Sequence, residues 1–142
     1  KETILYLRSK GLRVDGIGWQ GHLKLSKTTG DFIEKTDEAL KDLSDLIDWA
    51  HANDLDFHVT ELDYKVTDKS KLDQEFQTQA VIYQKIVNIL QSKVNSGVVT
   101  LNLWDMGERL KKPAIYFQSI YDTNYNPTPA YNVIKNALIN NE

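Results

Sequence analysis

The strongest constraint on this chain is a stripe of apolar residues along Asp73–Asn95. Phe76, Ala80, Tyr83, Val87, Leu90 and Val94 step alternately by 4 and 3, the period of an α-helix with one buried face. A helix of that length needs a second layer to cover its stripe. Two further helices read the same way. Glu2–Lys10 carries Ile4, Leu5 and Leu7 before a Gly11 stop, and Asp37–Asn53 carries Leu40, Leu43, Ile47 and Ala50 on one face, with its acidic residues on the solvated side. Alternating with them are three apolar runs that read as strands: Val14–Gln20, Leu55–Leu62 and Val98–Trp104. A polar stretch fills Lys24–Thr36, and Pro113–Pro127 is irregular and rich in Tyr and Asn. Thr128-Pro129 then reads as an N-cap with proline at the first helical position, opening a last helix that ends near Asn140. The order α-β-α-β-α-β-loop-α predicts parallel βαβ units with right-handed crossovers. Three strands form either a minimal open α/β layer or a segment of a larger sheet.

Composition removes several classes of function. The 142 residues are 41% hydrophobic, enough for one ordinary core. Lys and Arg total 17 against 20 Asp and Glu, a net charge of -3, and no basic block interleaved with aromatics offers a nucleic-acid surface. The absence of cysteine excludes disulfide frameworks, zinc fingers and thiol nucleophiles. No apolar run approaches the ~20 residues of a membrane span, so no membrane partner is expected. Neither Gly-x-Gly-x-x-Gly nor a Walker loop is present, and no cofactor is expected. The chain opens on Lys1 and enters a helical pattern at once, so it reads as a piece of something longer.

In parallel α/β proteins the chemistry gathers at the C-terminal ends of strands. Here those ends are Trp19-Gln20-Gly21-His22, Thr60-Glu61-Leu62-Asp63-Tyr64 and Asn102-Leu103-Trp104-Asp105. Residues two apart share a face of a strand, which pairs Gln20 with His22, Glu61 with Asp63, and Asn102 with Trp104. Carboxylates, an amide, an imidazole and an indole suit a sugar site. The plain alternatives are solvated loop acids for Glu61 and Asp63, a satisfied half-buried ring for His22, and core packing for Trp19 and Trp104; for Trp19 the core reading is preferred. A metal held by His58, Glu61 and Asp63 lacks the His-Glu-x-x-His helix that would support it.

The same strand ends carry a family resemblance. Val14-Asp15-Gly16-Ile17-Gly18-Trp19-Gln20-Gly21-His22-Leu23 resembles the sixth barrel strand of glycoside hydrolase family 10, with its Asp-Gly-Ile-Gly-x-Gln-x-His pattern, and His58-Val59-Thr60-Glu61-Leu62-Asp63 resembles the seventh, with its Thr-Glu-Leu-Asp motif. Tyr121-Asp122-x-Asn124-Tyr125-Asn126-Pro127-x-Pro129-Ala130-Tyr131 resembles the run into the family's last helix. The three matches come in the family's order and span nearly the whole chain. The resemblance implies a partial (β/α)8 TIM barrel, strands six to eight with flanking helices, over residues 1–142. It also implies a retaining endo-1,4-β-xylanase acting outside the cell on β-1,4-xylan or xylo-oligosaccharides. Glu61 would be the nucleophile, His22 and Asp63 would hydrogen-bond around it, Gln20 would lie near the sugar, and Trp104 would form part of the platform beneath it.

A retaining mechanism also needs a second carboxyl group about 5–5.5 Å from the first. The family places that acid/base residue in an Asn-Glu pair at the end of its fourth strand. Here Asn-Glu occurs only as Asn141-Glu142, in the tail of the last helix. After Trp104 the sequence runs Asp105-Met106-Gly107-Glu108-Arg109-Leu110 without the family's second Trp. This chain alone is therefore expected to be inactive. It is expected to pack its open sheet edges, and inward residues Phe57, Val59, Thr100 and Asn102, against the N-terminal half of the barrel or a second copy. The alternatives are a non-catalytic carbohydrate-binding or assembly remnant, and a glycosidase for another β-1,4-glucan.

Overall fold

The structure, a computed structural model, describes residues 1–24, 36–66, 69–104, 116–118, 120–122 and 124–139. Its helices are α1 (Glu2–Ser9), α2 (Thr36–His51), α3 (Leu72–Lys93) and α4 (Pro129–Ile139); its strands are β1 (Gly16–Trp19), β2 (His22–Lys24), β3 (Asp56–Val66), β4 (Val99–Leu103) and β5 (Tyr116–Gln118). All four expected helices form. β3 is central: β1 and then β2 run parallel along one edge, and β4 runs parallel along the other. Among the described residues β1 and β4 each pair only with β3.

Four expectations need correction. The first strand does not stop at Gln20; after the break at Gln20–Gly21 it resumes as β2. The second runs past Leu62 to Val66, because Tyr64 remains fully buried and its hydroxyl donates to Glu75 of α3 over 2.7 Å. The segment read as irregular holds β5, antiparallel to Tyr64–Val66, and an isolated bridge between Tyr121 and Pro127. Periodicity could not show either, since both are too short to display a period.

The fourth correction matters most for the site. β3 has one residue more than either neighbour. Trp19 pairs with Val59 but His22 with Asp63, and Leu101 pairs with Val59 but Leu103 with Leu62. The extra residue falls at Thr60–Glu61, a β-bulge that resets the alternation of faces. Phe57 and Val59, expected to face inward with Glu61, instead turn outward with Leu62 and Tyr64. These four are at most 1% exposed and belong to the core built with Leu43, Ile47 and Ala50 of α2 and Ile82, Tyr83 and Ile86 of α3. The inward face carries His58, Thr60, Glu61 and Asp63, with Thr100 and Asn102 of β4 as expected. His58 Nδ1 lies 2.9 Å from the Thr100 hydroxyl across it.

The base of the sheet is fastened by long-range hydrogen bonds. Arg8 of α1 donates to the carbonyls of Val14, Asn53 and Asp54, joining the start of β1 to the α2–β3 turn. His51, the last residue of α2, donates from Nε2 to the Val98 carbonyl (3.1 Å), and its Nδ1 lies 2.8 Å from the Ser96 hydroxyl. Gly97 passes so close that a Cβ there would lie 2.5 Å from the His51 ring. Thr128 precedes α4 as expected, but its buried hydroxyl donates to the Ile120 carbonyl.

Candidate active site

The bulge brings two consecutive inward residues, Thr60 and Glu61, to the point where β1 ends and β2 begins. The Thr60 hydroxyl donates to the Trp19 carbonyl over 3.2 Å, which ties the bulged backbone to the neighbouring strand. Gly18 permits this approach, since a Cβ at that position would sit 3.1 Å from the Thr60 methyl. Thr60 was not singled out by the sequence reading; it stands inside the Thr-Glu-Leu-Asp motif, but only the register shows its task.

Glu61 is the centre of the cluster. One carboxylate oxygen accepts from the Gln20 amide over 3.1 Å, and the other lies 3.0 Å from His22 Nε2. His22 Nδ1 lies 2.9 Å from Asp63, so the ring stands between two carboxylates. Exposure grades along the cluster, from 33% at the His22 side chain to 20% at Glu61 and 3% at Asp63. Trp104 completes it: its ring meets His22 edge-on, with centroids 5.9 Å apart at 87°, and remains 49% exposed. The structure thus brings together all five expected residues, Gln20, His22, Glu61, Asp63 and Trp104. Trp19 packs against the core, as preferred. The segment after Trp104 and Asn141-Glu142 lie outside the described residues.

The chemistry follows from the geometry. A neutral imidazole donates from one nitrogen only, whereas a doubly protonated ring donates from both. With a carboxylate at each nitrogen, the doubly protonated ring would offset one of the two negative charges. Asp63 lies buried behind the His22 ring, while the Glu61 carboxylate stays at the surface. An accessible carboxylate oriented by an amide and an imidazole, beside an exposed indole, can attack an electrophilic carbon held on that indole's face.

The family model described as Glycosyl hydrolase family 10 matches residues 1–137. The chain belongs to this family. Endo-1,4-beta-xylanase B of Thermotoga neapolitana is 26% identical over 140 residues, which cover 95% of this chain and 37% of that protein. Among solved structures, native xylanase 10B from Thermotoga maritima superposes with a TM-score of 0.76 at 22% identity, over 99% of this chain and 41% of that one. Xylanase 10B from Thermotoga petrophila RKU-1, solved in complex with xylobiose, gives 0.77 at 24% identity with the same coverage. The chain thus spans about two-fifths of the relatives it matches. Its α/β fold is a partial (β/α)8 barrel of this family, and the three parallel strand lines are part of its wall.

Proposed function

We propose that this chain carries the nucleophile side of a retaining endo-1,4-β-xylanase active site. The observation that carries the reading is the Glu61 carboxylate, partly exposed and held from both sides by Gln20 and His22. In the first step a Glu61 oxygen attacks the anomeric carbon as the glycosidic C–O bond breaks. The leaving oxygen takes a proton from a second carboxyl group, supplied by another part of the barrel wall. In the second step that group, now a base, removes a proton from water; the water oxygen attacks the same carbon and Glu61 is released. His22 and Asp63 orient Glu61, Gln20 meets the sugar at the cleavage site, and Trp104 stacks beneath it. The substrate is β-1,4-xylan or its oligosaccharides, in keeping with the family and with the xylobiose complex of the Thermotoga petrophila enzyme.

The rest of the barrel, as an N-terminal half or a second copy, would pair with the edges of β1 and β4 that have no partner strand among the described residues. Without it this chain is proposed to be inactive, because losing general acid assistance costs about 10²–10⁴-fold. Because xylan is a polymer that does not cross membranes, we propose action outside the cell. The test is a mechanism-based fluoro-xylobioside on the complete barrel, followed by peptide mapping. Covalent label on Glu61 is the expected result. Label on another carboxylate overturns the assignment, and no label with tight xylan binding favours a non-catalytic binding role.

A further inference from the structure

The side chains that hold Glu61 come from a break in the neighbouring strand, and the mechanism above takes the shape of that break as given. Gln20 and Gly21 separate β1 from β2, and Gln20 and His22 hold Glu61 from its two sides. Each carbonyl through the break has a donor, as backbone leaving its ladder requires. The Trp19 carbonyl accepts from the Thr60 hydroxyl over 3.2 Å, the Gln20 carbonyl from the His22 N–H over 2.9 Å, and the Gly21 carbonyl from the Asp63 N–H over 3.2 Å. The first and last of these cross to β3, one just before Gln20 and one just after it. The last is backbone to backbone and does not depend on side-chain identity. The first hangs on a single hydroxyl.

Thr60 and Glu61 are consecutive, and so are Trp19 and Gln20, so two hydrogen bonds span the same gap side by side. Thr60 Oγ1 reaches the Trp19 carbonyl, and one residue on, Gln20 Nε2 reaches the Glu61 carboxylate over 3.1 Å. Both ends of the first bond are held. The Trp19 ring packs against the core and beneath Gly21, where a Cβ would lie 3.2 Å from it. The Thr60 methyl lies against Gly18, where a Cβ would come within 3.1 Å. A β-branched side chain seated in this way has little freedom to turn its hydroxyl elsewhere. Glutamine is the opposite case: a long, rotamer-rich side chain whose amide stays on Glu61 only while its backbone is kept at the right level.

We propose that Thr60 is a positioning residue for the Gln20–Glu61 hydrogen bond: by holding the Trp19 carbonyl level with the bulge, it sets the Gln20 amide opposite the carboxylate. The kinetic part of this inference rests on the function proposed above; the placement of Gln20 does not. Without the hydroxyl, Glu61 keeps His22 on one oxygen and loses its hold on the other. A misplacement of about 1 Å at a reacting centre costs on the order of 10²-fold. Loss of one hold out of two should therefore cost about 10-fold.

The experiment uses the complete barrel and the rate of covalent labelling by the fluoro-xylobioside, which reads the attack step alone. Thr60→Val keeps the branched shape and removes the hydroxyl; Thr60→Ser keeps the hydroxyl. Thr60→Val should slow labelling about 10-fold with the inhibitor's binding constant nearly unchanged, and Thr60→Ser should stay within about threefold of the parent. Gln20→Ala should cost less in the Thr60→Val background than in the parent, because the bond it removes is already gone. A crystal structure of the Thr60→Val barrel should show Gln20 Nε2 beyond hydrogen-bonding distance of Glu61. A role in packing alone would lower the denaturation midpoint and leave labelling of the folded enzyme unchanged. That result, or losses for Thr60→Val and Gln20→Ala that simply multiply, overturns the proposal. Should Thr60→Val fail to fold, Gly18→Ala decides. Its methyl, 3.1 Å from that of Thr60, should displace the side chain and slow labelling, and adding Thr60→Ser, which removes the crowded methyl, should restore it; no slowing, or no restoration, overturns the proposal. Label on another carboxylate would sink the nucleophile reading, and the Gln20–Glu61 separation in the variant's crystal would then decide the positioning by itself.

Discussion

Two histidines at opposite ends of this sheet each set both ring nitrogens near polar groups, in different surroundings. At the mouth, His22 stands between Glu61 and Asp63, 3.0 and 2.9 Å from their carboxylates. At the base, His51 meets a hydroxyl and a carbonyl, Ser96 and Val98, both neutral. The partners make the difference. Protonation of a ring between two carboxylates would place a positive charge beside the partly exposed Glu61 carboxylate. Protonation of a ring between neutral groups adds a second donor and a charge that neither partner answers; the Ser96 hydroxyl donates to the Lys93 carbonyl and can serve as acceptor to the ring. On the proposed function, one histidine serves the chemistry and the other fastens the base.

The largest effect expected from this contrast is at the mouth. In the complete barrel, Glu61→Gln should lower the xylanase rate by at least about 10³-fold, while stability in urea changes by less than about 0.5 kcal/mol. A large loss of stability would show that the mouth cluster is also a fastening. Exchanging the histidines tests the contrast from both sides. His22→Gln should cost about 10²-fold in kcat, through misplacement of Glu61, with stability nearly unchanged. His51→Gln should leave kcat alone and cost about 1 kcal/mol of stability, since Ser96 and the Val98 carbonyl lose a hydrogen-bond partner. If both variants lost activity equally, the division between the two ends would be wrong.

How far this division was legible in the sequence depends on the range of the interaction that sets it. The helices were legible because their stripes repeat over several turns, as in Phe76, Ala80, Tyr83, Val87 and Leu90. Glu61 and Asp63 were legible as a pair because alternation holds across two residues, and the family motif supplied their roles. The same alternation carried back to Phe57 and Val59 gave the wrong face, because the bulge at Thr60–Glu61 intervenes. A bulge is settled by the register of β3 against two other strands, through contacts such as Thr60 to Trp19 about 40 residues away in sequence, and no local pattern records it. β5 escaped notice for a related reason: three residues pair because Tyr64–Val66 offers an edge. His51 and Gly97 carried no signal either, as their contact joins the end of α2 to the turn before β4.

A smaller effect is expected at that base contact. Gly97→Ala puts a methyl 2.5 Å from the His51 ring, so the ring or the turn must move. The cost should be about 1–3 kcal/mol, read as a lower denaturation midpoint with kcat of the complete barrel unchanged. Combined with His51→Gln the two costs should fall short of their sum, because the smaller, flexible amide can yield to the methyl. Additive costs would mean that the glycine serves the backbone rather than the ring.

The smallest effect asks whether the carboxylates at the mouth end act as one system. The turn before α4 lies toward the mouth by topology, since in βα units helices begin beside the C-terminal ends of strands. Asp122 closes this turn: one oxygen accepts from the backbone N–H groups of Asn124 and Asn126, each at 2.8 Å, and the other accepts from the Asn126 amide at 3.0 Å. These bonds, the Asn126 side chain's first, hold the carboxyl below its ordinary range. A carboxyl whose value is lowered by folding stabilises the protein above the unfolded value, and that contribution disappears as the pH falls through the folded one. Asp122→Asn should therefore flatten the loss of stability as the pH falls below about 4. At neutral pH it should loosen the turn slightly, because an amide there can accept from the two backbone N–H groups but sets its own NH₂ against that of Asn126. Urea titrations at several pH values measure the slope, and the backbone amide shifts of Asn124 and Asn126 report the turn. An unchanged slope would remove Asp122 from the acid response. A shift of the pH profile of kcat/KM of the complete barrel in this variant would join the turn electrically to the Glu61 cluster, and the mouth would then have to be treated as one charged network rather than a site beside an independent clasp.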